Sequence, residues 1–319
     1  MIIRHTLAVP RSPAIPNAAP PNPSNPQAPA APKPRYDLLA LDLDGTLLRS
    51  DKKLVMYDAV AVKEAVRRGV RVVLATARPP RSSREIHARL GLDTPLINYN
   101  GALIHDVARG EHTFHQPLSS ETARRVIDLA RSIEPSVVVG IEVLDKWYTD
   151  HDDPNFQTAT AKRFKPDYVG PLDVPLSQAV TKLMLLFHAE QLQPVRKAIR
   201  DVFAEQAAFP ESDATIIQVV HQAVDKASAL ARVAAGLGIP ADRVCAIGDA
   251  PNDAGMLQWA GLGCAVASAF GSARESADVI LEHTNNERAV GLAIERYVLG
   301  DNPVARQVAL ASPPETTSE

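Results

Sequence analysis

The chain has 319 residues, 45% of them apolar and 22% charged, enough apolar material for one large domain or two ordinary ones. Lys+Arg 34 against Asp+Glu 37 leaves a formal net charge of -3, which lacks the broad basic field of a nucleic-acid or anionic-membrane binder. No apolar run reaches the roughly 18 residues of a membrane span, and two cysteines, Cys245 and Cys264, are too few for a disulfide scaffold or a cysteine zinc cluster.

Ten of the 26 prolines fall within residues 1–34, with no acid or aromatic residue before Tyr36 and Asp37. Such a segment buries too little apolar surface to offset its ordering entropy, so residues 1–35 are expected to be a disordered Pro/Ala-rich tail rather than a targeting peptide. Residues 38–43 form a short apolar run ending in acids, which predicts a buried strand. Residues 57–68 follow a helical pattern, with Val62, Ala65 and Val66 on one face and Gly69 as the stop. Residues 70–75 read as a second apolar strand. Strands apolar on both faces and alternating with helices indicate a parallel sheet covered on both sides.

The middle of the chain differs. Residues 137–143 and 182–187 predict strands, separated by two amphipathic helices. One helix carries the stripe Thr122, Val126, Leu129 and Ile133, the other Leu192, Val195, Ile199, Val202 and Phe203. The first pattern then returns: a helix over 227–237, a strand over 244–247, a helix over 254–260, and short strands over 264–266 and 278–281. The fold class expected is α/β, a Rossmann-like doubly wound parallel sheet core over 36–117 and 220–300 with an inserted α+β cap over 118–219. Residues 301–319 are expected to be a flexible tail.

Four polar turns carry the chemistry. Asp42 and Asp44 end the first strand, and carboxylates at i and i+2 point to the same side of a strand. Buried together they would repel, and a cation between oxygen ligands, Mg2+ for example, removes that problem. Thr76-Ala77-Arg78-Pro79 offers a hydroxyl and backbone N–H groups at a strand-to-helix turn, a place for phosphate. Lys226 opens a helix, where the macrodipole prefers anions, so it is either solvated or paired with a bound anion. Asp249, Asn252 and Asp253 stand at i, i+3 and i+4 after the strand over 244–247, a spacing that wraps one turn around a metal or phosphate. In a parallel sheet such turns meet at one edge. Trp147, Tyr148 and His151 cluster in the middle region, either as substrate contacts or as core and surface turn.

The order DLDGTLL, ATARP, DKASAL and GDAPND resembles the haloacid dehalogenase-like superfamily. The insert between the second and third motifs, and Asn98-Tyr99-Asn100-Gly101-Ala102 where the chain leaves towards it, are similar to the Cof-type phosphatases with a class II (subtype B) cap. The resemblance covers about residues 36–300. It implies a magnesium-dependent phosphatase acting on small phosphorylated metabolites, sugar phosphates or similar phosphomonoesters. The composition, with its two cysteines, fits a reducing, cytoplasmic compartment, and the near-neutral charge predicts no nucleic-acid or membrane partner. Oligomeric state is left open. Asp42 would be the nucleophile and Asp44 the general acid, then base. Mg2+ would be held by the Asp42 side chain, the Asp44 backbone carbonyl and the Asp249 side chain. Thr76 with the amides of Leu43 and Ala77 would grip the phosphoryl oxygens. Lys226 and Asn252 would add charge and a hydrogen bond, and Asp253 would orient Lys226 or a metal-bound water.

The chain departs from the family where Ala77 and Ala227 replace glycine, in Ala265-Val266-Ala267-Ser268-Ala269, and in Ala289-Val290. Two other activities share the motifs: a phosphomutase of the same superfamily, and an idle phosphometabolite-binding protein. The presence of both Asp42 and Asp44 speaks against the second.

Overall fold

The computed structural model describes residues 33–151, 160–187, 189–211 and 216–300. The Pro-rich segment up to residue 32, and residues 301–319, lie outside the described residues.

The first part of the chain runs β1 (Leu38–Leu41), α1 (Met56–Arg67), β2 (Arg71–Leu74), α2 (Pro80–Leu90), β3 (Leu96–Asn98), β4 (Leu103–Asp106) and β5 (Glu111–His115). The inserted part runs α3 (Ser120–Ile133), β6 (Val138–Val143), β7 (Lys146–Thr149), β8 (Tyr168–Val169), α4 (Asp173–Leu176), β9 (Lys182–Leu186), α5 (Ala189–Phe203), β10 (Ala207–Ala208) and β11 (Ile216–His221). The last part runs α6 (Lys226–Gly236), β12 (Val244–Gly248), α7 (Ala254–Trp259), β13 (Leu262–Ala265), α8 (Ser272–Ser276), β14 (Val279–Ile280) and α9 (Ala289–Ala293).

Five strands in the order β14-β13-β12-β1-β2 form one parallel sheet. Every residue of β1 and of β12 is buried, as expected of strands covered on both faces. The chain winds outward from β1 to β2, then returns to place β12 on the other side of β1. That reversal is the switch point at which open α/β sheets bind their ligands. β3, β4 and β5 make a small antiparallel sheet, joined to the parallel sheet by a bridge between Ala75 and Ile97.

The insert is a six-stranded sheet, β10-β11-β9-β6-β7-β8, antiparallel except for β7 and β8. Successive side chains of a strand point to opposite faces. Val139, Ile141, Leu183, Leu185, Ile217 and Val219 therefore join one apolar cluster, which includes Val126 of α3 and Val195 and Ile199 of α5. The buried face of α3 is Ala123, Val126, Ile127 and Ala130, not the stripe through Thr122 and Ile133: Ile133 is exposed. Small alanines carry the helix against the sheet, and alanine gives a weak periodic signal. In α5, Leu192, Val195, Ile199 and Phe203 are buried as expected, but Val202 is exposed.

One turn of the first part of the chain packs against the start of the last. Tyr99-Asn100-Gly101 forms a 3-10 turn after β3, with Tyr99 and Asn100 at positive φ. Gly101 also has positive φ, and a Cβ there would stand 2.4 Å from the Asp225 carbonyl, so only glycine lets the turn lie against the start of α6.

Asp58 of α1 is fully buried, accepts from the Gly291 N–H at 2.8 Å, and leaves Oδ2 without a partner among the described residues. Burial pushes its carboxyl up to about 7. From about pH 4 to 7 the folded chain thus holds a proton that the unfolded chain has released. This stabilisation is full below the unfolded value and is lost as pH rises through the folded one. Asp58→Asn is therefore expected to gain about 2 kcal/mol more at pH 8 than at pH 5. Thermal unfolding at the two pH values measures this, and an equal effect at both would place the cause elsewhere.

Candidate active site

The strand register brings the predicted turns level. Leu41 pairs with Ile247 and with Leu74, so Asp42, Asp249 and Thr76 all leave the sheet at the same edge. The Asp42 N–H donates to the Ile247 carbonyl at 3.0 Å, and that of Ala75 to the Leu41 carbonyl at 2.9 Å, which carries the ladder to the turns. Lys226 comes from the first residue of α6, whose N-cap Asp225 accepts from the Ser228 N–H at 2.7 Å.

Lys226 is buried, not solvated. Its Nζ donates to Asp42 Oδ1 at 2.5 Å and to Asp253 Oδ1 at 2.6 Å. Asp253 in turn accepts from the N–H groups of Asp249 and Ala250 at 2.9 and 3.1 Å, which fixes the turn after β12. Asp249 accepts from the Thr46 hydroxyl at 2.6 Å. The anion at the start of α6 is thus a pair of carboxylates from this chain.

Electrostatics show what these groups lack. Burial, with the charges of Asp253 and Asp249, raises the Asp42 carboxyl well above the ordinary range despite Lys226. Burial and Asp253 push Asp249 up to about 6. Lys226 is raised against the pull of burial by Asp253 and Asp42, so it is the firmly charged member. Three carboxylates sharing one lysine leave an excess of negative charge, which a divalent cation would offset. Asp42, Asp249 and Asp253 each bring one oxygen within 4.8 Å of the others. An all-oxygen donor set suits a hard ion such as Mg2+. Gly45 keeps the place open: its φ is positive, and a Cβ there would lie 2.3 Å from Asp249 Oδ2.

Asp44 lies apart from this cluster. Arg78 grips its carboxylate with both arms, Nε to Oδ2 at 2.5 Å and Nη2 to Oδ1 at 2.6 Å, and Lys52 adds a contact at 2.8 Å. Burial opposes ionisation, but Arg78 and Lys52 prevail and lower Asp44 to about 2. Neither Arg78 nor Lys52 is singled out by the sequence; Arg78 adjoins the Thr76-Ala77 turn, whose backbone alone drew attention. Thr76 is buried, and its hydroxyl accepts from the Arg78 N–H at 3.1 Å. Asn252 donates to Asn100 Oδ1 at 2.8 Å, and its own Oδ1 is buried without a partner among the described residues. Leu43 is fully buried beneath the turn.

Ala77 keeps negative φ, as alanine requires. Ala77→Gly is therefore expected to leave kcat/KM within about threefold and to cost at most about 1 kcal/mol of stability. Ala77→Val should lower kcat/KM by about tenfold, because a branched side chain crowds the turn. Kinetics of both variants on one phosphomonoester would decide; a harmless valine with a crippling glycine would remove Ala77 from this place.

The insert supplies the opposite wall. Glu142 of β6, Trp147 of β7, Lys182 and Met184 of β9, and Gln218 of β11 line one pocket with Asp42, Asp44 and Thr76. They occupy the strand positions that alternate with the insert's apolar cluster. Of Trp147, Tyr148 and His151, only Trp147 lines this pocket: Tyr148 packs on the insert's core and His151 is exposed. Glu142 is held by Arg81 through two bonds of 2.9 and 2.7 Å, and accepts from the Tyr99 hydroxyl at 3.0 Å. Arg84 pairs with Asp145, and Glu85 with Arg163 at 2.6 Å, so the first turns of α2 are tied to the insert by several ion pairs.

A family profile of haloacid dehalogenase-like hydrolases matches residues 39–294, and the chain belongs to that family. It is a phosphatase, a phosphoric monoester hydrolase of the Cof type. The 5-amino-6-(5-phospho-D-ribitylamino)uracil phosphatase YitU of Bacillus subtilis (strain 168) is 29% identical over 265 residues, 82% of this chain and 97% of the relative. The HMP-PP phosphatase of Cronobacter sakazakii is 31% identical over 232 residues, 72% of this chain and 84% of the relative. A haloacid dehalogenase-like hydrolase from Bacteroides thetaiotaomicron has a similar structure, with a TM-score of 0.72 at 26% identity over 82% of this chain and 99% of that one. Among the described residues no helix is long and apolar enough to cross a membrane.

Proposed function

We propose that this phosphatase hydrolyses small phosphorylated metabolites, sugar phosphates or similar phosphomonoesters, through an aspartyl-phosphate on Asp42. The observation that carries the reading is the buried Asp42 carboxylate at the switch point, 2.5 Å from Lys226 and clustered with Asp249 and Asp253. The relatives' named substrates, small phosphorylated compounds, support the substrate class.

An Asp42 oxygen attacks phosphorus and the bond to the leaving oxygen breaks, while Asp44 gives that oxygen a proton. Asp44 then takes a proton from water, whose oxygen attacks the phosphorus and frees Asp42 and inorganic phosphate. Arg78 must release Asp44 for it to carry that proton, since the pair as it stands holds Asp44 ionised. Thr76 and the amides of Leu43 and Ala77 hold the phosphoryl oxygens, Lys226 and Asn252 add charge and a hydrogen bond, and Asp253 keeps Lys226 in place. Mg2+, held by the side chains of Asp42 and Asp249 and the Asp44 carbonyl, would supply charge neutralisation at the phosphoryl group. In this reading residues 118–219 are the cap over a core of 36–117 and 220–300. The enzyme works in the cytoplasm, in keeping with two cysteines that are free and buried.

A panel of phosphorylated metabolites assayed for phosphate release with and without Mg2+ tests the proposal. We expect release that EDTA abolishes and Mg2+ restores. Phosphoryl transfer within one sugar without release, or activity indifferent to EDTA, would overturn it.

A further inference from the structure

One charge on the site-facing wall of the insert makes no ion pair with the carboxylates of the phosphoryl site, and touches that site only at the Ala77 carbonyl. Lys182 opens β9 and is 4% exposed. Its register partner on β6 is Glu142, the position from which a cross-strand ion pair would form. Glu142 is already engaged by both arms of Arg81 and by the Tyr99 hydroxyl. Among the described residues Lys182 has no ion-pair partner within 4.0 Å: its Nζ donates to the Ala77 carbonyl at 3.2 Å and stands 5.2 Å from the centre of the Tyr99 ring. A cation removed from water without a counter-ion is costly, and folded chains rarely keep one without a use.

Glu142 favours the charged form of Lys182 and Arg81 opposes it. Burial pushes Lys182 down to about 8, so it is still mostly protonated at neutral pH. The phosphoryl group meanwhile has its own buried cation in Lys226. Lys182 lines the pocket that holds Asp42, Asp44 and Thr76 from the insert's side, where the leaving group of the proposed reaction would lie. Trp147 lines the same pocket, with its indole N–H buried and without an acceptor among the described residues.

We propose that the preferred substrate carries a second anionic oxygen group, a carboxylate or a second phosphate, on its leaving group, and that Lys182 is the residue that selects it. The anion replaces the single backbone carbonyl as the partner of Nζ, and its charge-assisted bond is stronger than the one it displaces. The inference rests on the phosphatase reading and adds the class of leaving group.

The test uses the full chain with Mg2+ and two matched pairs of esters. 2-Phosphoglycerate against glycerol 2-phosphate probes a carboxylate; fructose 1,6-bisphosphate against fructose 6-phosphate probes a second phosphate. p-Nitrophenyl phosphate reports activity with an uncharged leaving group. In the wild type kcat/KM should favour the anionic member of at least one pair by about tenfold or more, which is about 1.4 kcal/mol. Lys182→Met should shrink that ratio at least about tenfold, mostly through KM, whereas Lys182→Arg keeps most of it. The thermal midpoint of Lys182→Met should not fall, because a buried unpaired charge has been removed. Wild-type ratios near one in both pairs overturn the proposal whatever the variants do, and so does a preference that survives in Lys182→Met. Ratios near one with active turnover of p-nitrophenyl phosphate leave the phosphatase reading intact. No release from any of the five esters takes down both.

Discussion

Asp42→Asn is expected to lose at least about a thousandfold in turnover while the protein stays folded. The amide cannot form the acyl-phosphate bond, but its oxygen can still accept from Lys226, which also keeps Asp253 at 2.6 Å. Burial already holds the Asp42 carboxyl above its ordinary range, so removing its charge relieves the cluster as much as it weakens the ion pair. The thermal midpoint should accordingly stay within a few degrees of the wild type. Circular dichroism and phosphate release on the same sample check both halves. A folded, uncontaminated variant that retained a tenth of the turnover would remove Asp42 from the nucleophile's place.

Lys226→Met should be damaging in a different way. The lysine is 1% exposed and bridges two carboxylates. Without it, Asp42 and Asp253 face each other and Asp249 with no buried cation, a change that costs about 3–5 kcal/mol for a broken buried pair. Turnover should vanish together with a drop in thermal midpoint of many degrees. Mg2+ should then raise the midpoint of the variant more than that of the wild type, because it becomes the cluster's remaining counter-charge. A variant as stable as the wild type, and indifferent to Mg2+, would mean that Lys226 does not hold the carboxylates together.

The parts of the fold legible in the sequence are those whose burial is local and apolar. β1 and β12 are continuous apolar runs and β2 is one but for Arg71; all three end in polar turns, and those turns hold most of the site. α2 is the opposite case. Its buried residues include Ser82, Ser83 and His87, so no apolar stripe marks it, and it is recognisable only by Pro80 at its start and Gly91 at its end. The antiparallel strands β3, β4 and β5 are short, and β5 is largely exposed. Arg78, Arg81 and Lys182 read as ordinary charged residues, because what gives them a role is a partner far along the chain: Asp44 for the first, Glu142 for the second, Ala77 for the third. Tertiary contacts of that range leave no trace in periodicity. The same holds for Trp147 and Tyr148, neighbours sent to opposite faces of one strand.

The ion pairs between α2 and the insert differ in their exposure to water. Arg81 and Glu142 have side chains 12% and 2% exposed, whereas Arg163 and Glu85 are 52% and 57% exposed. Dissolved salt screens the second kind strongly and the first kind little. Ionic strength is thus a graded dial on this joint: it loosens the rim while the centre holds. Since α2 begins one residue after Arg78-Pro79, whatever slack salt introduces at the rim stops short of the turn beside Asp44.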